Sequence, residues 1–118
     1  GVPGLMVTEL AALSGATVVA VDRLPARLDR ARAHGATHVV NGAEEDAAAR
    51  IKALTGGRGA DVSIEIAGSA SALHEAIRAT AYSSRVVVSG FLTGEARGLR
   101  LGEEFHHNRI ELRCSQIS

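Results

Sequence analysis

The sequence predicts an α/β fold: a doubly wound parallel sheet with helices on both faces. Three observations carry the prediction. Short β-branched runs alternate along the chain with helix-length segments of mixed polarity. Hydrophobic residues make up 46% of the 118 positions, yet aromatics only 3%, so the core must be aliphatic, as in sheets buried between helices. Glycines punctuate the pattern where segments end.

Taken in order, Leu5 to Ser14 reads as a helix, with Met6, Leu10 and Leu13 at helical spacing and Gly15 ending it. Thr17 to Val21 is a β-branched run and reads as a buried strand. Pro25 suits the first turn of a helix striped by Leu24, Leu28 and Ala31, and Gly35 suits its C-terminal cap. His38 to Val40 is a second strand. Glu44, Glu45 and Asp46 load the first turn of the next helix, whose buried face is Ala47, Ile51 and Leu54 and whose stop is Gly56-Gly57. Asp61 to Ala67 is a third strand, in which Val62, Ile64 and Ile66 alternate with Ser63 and Glu65. Gly68 and Ser69 open a turn. Ser71 to Ala81 is a helix facing inward through Leu73 and Ile77. Arg85 to Ser89 is the clearest strand, broken by Gly90, and Thr93 to Gly102 is looser. In the last segment, Ile110, Leu112 and Cys114 alternate with Glu111, Arg113 and Ser115, as in a half-exposed edge strand. That alternation makes Cys114 a small core residue.

Composition excludes several classes. Thirteen basic residues balance thirteen acidic ones, so there is no electrostatic footprint for nucleic acid or an anionic membrane. No apolar run is long enough to cross a bilayer, and no signal-peptide pattern is visible at the start. A single cysteine cannot form an internal disulfide, which fits a reducing, cytoplasmic setting. His106 and His107 lie near Glu103, Glu104 and Cys114, but adjacent histidines in a strand face opposite ways, so no metal site is expected. Ser69, Ser71 and Ser89 have no triad partners in view. Glu65 interrupts a mostly apolar strand, so a buried or cleft-edge carboxylate is expected there.

One pair of features points to a ligand. The chain opens Gly1-Val2-Pro3-Gly4 before a predicted helix, where a glycine turn lets backbone amides approach a phosphate. Asp22 ends the next strand, about 20 residues on, where a carboxylate can accept from the ribose hydroxyls of an adenosine. Glycines at helix starts and aspartates capping helices are each common; the two together, inside a βαβ pattern, are more specific. A carboxylate here welcomes a 2′-hydroxyl and repels a 2′-phosphate, which favours NAD over NADP, although Arg23 adjoins it. Arg27 lies one helical turn past Arg23.

The ordered set of motifs resembles the cofactor (Rossmann) domain of medium-chain, zinc-type alcohol dehydrogenases. The residues that carry the resemblance are Gly1 to Leu5, Val18 to Arg23, Ala31-Arg32 to Gly35-Ala36, Thr55 to Val62, Glu65 to Gly68, Arg85 to Phe91, and Ile110 to Gln116. The resemblance covers essentially the whole chain, and polyol- and threonine-dehydrogenase-like members look nearest. It implies a sheet ordered 3-2-1-4-5-6 with a nicotinamide cofactor across its carboxyl edge. Gly1, Val2 and Pro3 would lie by the pyrophosphate. Asp22, Arg23 and Arg27 would lie by the adenosine ribose, and Ala67, Gly68 and Ser69 on the adenine side. Ser89, Gly90 and Phe91 would lie near the nicotinamide, which Ser115 and Gln116 would approach through their backbone. The last strand is where such enzymes pair subunits, so a homo-oligomer is implied.

Two departures qualify the match. The first glycine of the G-x-G-x-x-G turn and the strand before it are missing, and that strand belongs mid-sheet. The family's catalytic domain, with its zinc ligands, is missing too. The expectation is therefore that residues 1–118 form an NAD(P)-binding domain belonging to a longer protein, with no catalytic residue of its own. In the complete protein, hydride would pass between a small-molecule alcohol and NAD, with zinc present by resemblance only. Two other readings stay open. An S-adenosylmethionine-binding methyltransferase domain also uses a glycine turn and a ribose carboxylate, and a reversed, antiparallel last strand would favour it. A non-enzymatic nucleotide-binding module is the third.

Overall fold

The computed structural model describes residues 17–90 and 94–115, and residues 6–10 as backbone. Six strands form one sheet. They are β1 (Met6–Leu10), β2 (Thr17–Asp22), β3 (His38–Asn41), β4 (Ala60–Glu65), β5 (Thr80–Val88) and β6 (Glu111–Cys114). The helices are α1 (Pro25–Ala33), α2 (Ala47–Leu54) and α3 (Ala70–Ala79), with a kinked helical segment at Leu101–Phe105. The spatial order is β3-β2-β1-β4-β5-β6. Pairs β2–β3, β4–β5 and β5–β6 run parallel.

The β2–α1–β3 crossover moves outward in one direction, and the later crossovers move in the other. With right-handed connections, this reversal puts α1 on one face and α2 and α3 on the opposite one. In keeping with that, α1 packs on β2 and β3, whereas α2 and α3 pack on each other and α3 covers β4 and β5. The expected doubly wound architecture is present.

The expected helix over Leu5 to Ser14 is not. Met6–Leu10 is a strand, and it occupies the central slot of the sheet. It pairs antiparallel with β2, Met6 opposite Val21 and Leu10 opposite Thr17, and antiparallel with β4, Met6 opposite Glu65. Backbone pairing overrides the helical spacing, and chain length sets the direction. β2 and β4 each present a row of backbone amides and carbonyls toward the middle of the sheet, and buried peptide groups must be paired. Direction follows from chain length: a parallel return needs a crossover of about a dozen residues or more, and the link from Leu10 to Thr17 is shorter than that. The sheet is therefore parallel apart from its central strand.

The other elements begin and end for identifiable reasons. Pro25 stands in the first turn of α1, and Gly35, at φ +106°, follows the helix where a left-handed residue is needed. Leu24, expected in the apolar stripe, is instead exposed; Leu28 alone of that stripe is fully buried. Asp46 is not in the first turn of α2 but is its N-cap, accepting from the Ala49 amide at 3.1 Å. Ser69 likewise caps α3 through the Ala72 amide at 3.1 Å. β5 starts earlier than expected, because the chain passes directly from α3 into the sheet at Thr80. The Thr80 hydroxyl donates to the Ala76 carbonyl at 2.6 Å and meets the Ser63 hydroxyl at 2.7 Å, so both buried hydroxyls are satisfied.

The core is aliphatic as expected, with Val19, Val40, Ile51, Ile77 and Val86 fully enclosed. Truncating Ile51 or Ile77 to alanine should cost about 2–5 kcal/mol. Cys114 is a correction: it is exposed, at the end of edge strand β6 and beyond Leu112, which still packs on the core. Among the described residues no helix is long and apolar enough to cross a membrane.

Candidate functional site

The carboxyl ends of β2, β3, β4 and β5 all lie along one edge of the sheet, and strand order reverses across β1. In open α/β sheets, ligands bind in the crevice at such a switch point. Here a cleft of about 760 Å³ opens there, walled by the turn after β2, the starts of α2 and α3, and the turn after β4. The starts of α1, α2 and α3 border it, each bringing the positive end of a helix dipole toward it.

Asp22 is the buried charge of this cleft, 3% exposed. Its Oδ1 accepts from the amides of Arg23 (2.6 Å) and Leu24 (3.1 Å), which fixes the turn into α1. Its Oδ2 is buried with no hydrogen-bond partner among the described residues, and Arg27 Nη1 stands 3.7 Å away. A buried carboxylate oxygen that is ion-paired but accepts no hydrogen bond among the described residues is an acceptor suited to a polar ligand. Arg23, Arg27, Ala67 and Ser69 also line the cleft, as expected from the sequence.

The remaining expected residues distribute along the same edge. Gly68, Ser89 and Gly90 do not line the cleft; they form the turns after β4 and β5. The Ser89 and Gly90 amides both donate to the Glu65 carbonyl, at 2.8 and 2.9 Å. Ser115 follows β6, its amide donating to the Val88 carbonyl at 2.9 Å. Gly1, Val2, Pro3, Phe91 and Gln116 lie outside the described residues.

Sequence reasoning missed the rest of the cleft wall, Gly42, Glu45, Asp46, Ala72 and Glu75 among it. Only Asp46 carried a usable signal, as a capping residue ahead of an apolar helix. Arg78 explains how so many acids tolerate one another. Its guanidinium pairs with Asp46 (3.2 Å), Glu75 (2.8 Å) and Glu104 (3.3 Å). The Ala49 amide and then Arg78 hold the Asp46 carboxyl below the usual range. The Glu104 carboxyl is lowered by its own backbone amide and by Arg78, and Arg78 itself is raised, chiefly by Asp46.

His106 and His107 are exposed and in a helical turn rather than a strand, their rings edge to face at 5.8 Å. The convergent trio among the described residues is instead His74, Glu103 and Glu104, with ligand atoms within 4.8 Å of one another. It fits a cation poorly. Arg100 pairs with Glu103 (2.8 Å) and with His74 Nε2 (2.8 Å), while Arg78 pairs with Glu104, so two guanidinium groups already supply the positive charge.

The methyltransferase alternative called for a reversed last strand; β6 runs parallel to β5. The family model described as zinc-binding dehydrogenase matches residues 3–116. The chain is 41% identical over 113 residues to D-guloside 3-dehydrogenase of Escherichia coli strain K12, a match covering 95% of the chain and 32% of that protein. It is 38% identical over 91 residues to sorbitol dehydrogenase of Bacillus subtilis strain 168, covering 76% of the chain and 26% of that protein. Among solved structures, an alcohol dehydrogenase zinc-binding domain protein from Burkholderia ambifaria superposes with a TM-score of 0.71 at 29% identity, over 84% of this chain and 26% of that one. The chain thus spans about a third or less of the length of the proteins it matches. It belongs to the zinc-binding dehydrogenase family and shares the Rossmann-type fold of part of the zinc-type alcohol dehydrogenases.

Proposed function

We propose that this chain binds and orients NAD within a longer alcohol or polyol dehydrogenase, which moves hydride between a small-molecule alcohol and the cofactor. The observation that carries the cofactor reading is Asp22, whose buried Oδ2 lacks a hydrogen-bond partner at the wall of the switch-point cleft. A ribose diol supplies the two donors that such a carboxylate can accept, whereas a 2′-phosphate would meet it with like charge. NAD is therefore preferred to NADP, and Arg23 and Arg27 flank the adenosine ribose. Gly1, Val2 and Pro3, outside the described residues, are assigned to the pyrophosphate on the family resemblance alone, since the segment after them is strand β1 and not the helix that a phosphate-binding glycine turn needs. Ala67, Gly68 and Ser69 lie on the adenine side, and Ser89, Gly90, Phe91, Ser115 and Gln116 toward the nicotinamide.

Residues 1–118 act as a cofactor domain that supplies no catalytic residue. Zinc, held by chain outside these residues, would polarise the alcohol oxygen. The last strand supports a homo-oligomer, since β6 is an edge with exposed residues on it. A cytoplasmic setting fits the single, exposed, free Cys114.

The test is to assay the native-length protein against a panel of alcohols and polyols, following NADH formation. NAD reduction with at least one polyol, lost on chelation of zinc, is the expected result. A protein that binds nucleotide but reduces no NAD with any of them would overturn the enzymatic reading and leave the nucleotide-binding module.

A further inference from the structure

Glu65 is the second fully buried carboxylate of the sheet edge, and nothing in the proposed cofactor contacts uses it. It is 0% exposed at the end of β4, in a stretch otherwise suited to apolar packing. Burying a carboxylate is costly unless its oxygens are bonded, so its presence needs a compensating task. Its Oε1 accepts from the Gly68 amide at 2.7 Å, while its Oε2, on the Gly90 side, is buried with no hydrogen-bond partner among the described residues. Its own carbonyl accepts from the amides of Ser89 and Gly90. One residue thus holds both turns that leave the central strands: the turn after β4 through its side chain and the turn after β5 through its backbone.

The two turns are also pressed together. A Cβ placed on Gly90 would lie 2.3 Å from the Gly68 nitrogen, 2.6 Å from its Cα and 3.0 Å from Glu65 Oε2. No side chain fits at position 90 without parting the turns. Gly68 adopts φ +75°, the left-handed backbone that lets its amide turn back onto the carboxylate.

We propose that Glu65 is a positioning residue: it clamps the Gly68 and Gly90 turns in contact and so sets the spacing of the cofactor surface between the adenine and nicotinamide ends. The proposal rests on the dinucleotide reading above. The clamp works through acceptor geometry, so an isosteric amide that keeps the acceptor oxygen should sustain it.

The experiment uses the native-length protein and the variants Glu65→Leu, Glu65→Gln, Gly90→Ala and the double Glu65→Leu/Gly90→Ala, with folding monitored by thermal unfolding. NADH affinity should fall about tenfold in Glu65→Leu, the scale of one lost hydrogen bond to a charged group, while the KM for alcohol stays within about twofold. Glu65→Gln should recover most of that loss. Gly90→Ala should reproduce it, and the double variant should be no weaker than the weaker single, since both changes open one joint. Amide exchange at Gly68 should speed up about tenfold in Glu65→Leu and stay slow in Glu65→Gln. Wild-type NADH affinity in a folded Glu65→Leu or Gly90→Ala, or additive losses in the double variant, would overturn the clamp. If Glu65→Leu does not fold, Gly90→Ala decides alone. If the wild-type protein binds no dinucleotide, the cofactor reading fails instead, and unchanged exchange at Gly68 would separately overturn the clamp.

Discussion

At the scale of single residues, two carboxylates and one arginine organise the edge where ligand would bind. Asp22 does two jobs with two oxygens. Oδ1 closes the turn into α1, and Oδ2, paired with Arg27 at 3.7 Å, has no hydrogen-bond partner among the described residues and is the acceptor we propose for the ribose. Asp22→Asn keeps the first role through its amide oxygen and replaces the second acceptor by a donor. It should leave the thermal unfolding temperature close to wild type, weaken NADH binding roughly tenfold and narrow the preference over NADPH. A fluorescence titration of the variant against both cofactors checks this; unchanged affinity and preference would remove Asp22 from the site. Arg78 ties the cap of α2, the last turn of α3 and the segment near Glu104 together. Asp46 and Glu104 have folded-state values below their unfolded ones, so their contribution is fully present above the unfolded range and lost as pH falls through the lowered values. Arg78→Ala should therefore cost about 1–2 kcal/mol at neutral pH, the scale for a few partly exposed pairs, and should flatten the decline in stability below about pH 4. Urea unfolding of both proteins across that pH range is the measurement.

At the scale of elements, legibility followed local chemistry. The run from Thr17 to Val21, Pro25, Gly35 and the Gly56-Gly57 stop were readable because β-branching, a fixed φ and a positive φ act within a few residues. Asp22 was readable because strand end and carboxylate coincide. Met6–Leu10 was not: its helical spacing is local, whereas its slot in the sheet depends on pairing with β4, far along the chain, as well as with β2. Cys114 was misread because alternation identifies a face but not where its cover ends: Ile110 and Leu112 on that face pack on the core, and Cys114, at the end of the strand, is exposed. The clamp at Glu65 was visible only as an oddity, a carboxylate among valines and isoleucines, since its partners emerge from turn geometry. β6 carries its own prediction. The Ser115 amide faces β5, so by strand alternation the Cys114 amide faces away from it. Cys114→Pro should spare the β5 ladder and block pairing with a second copy. Light scattering should then show the native-length protein shifting to a smaller species; an unchanged mass would place the subunit contact elsewhere.

At the scale of the molecule, the strand order follows from chain direction and crossover handedness, and it puts the Asp22 cleft, the Gly68–Gly90 joint and the end of β6 along one edge. We propose that this edge holds the dinucleotide. The most direct test is to titrate the native-length protein with NADH and NADPH, following nicotinamide fluorescence. Saturable binding of both or of NADH alone, with NADH the tighter ligand, is what the account predicts. A folded protein that binds neither would contradict it at its centre, and a clear preference for NADPH would contradict the role given to Asp22.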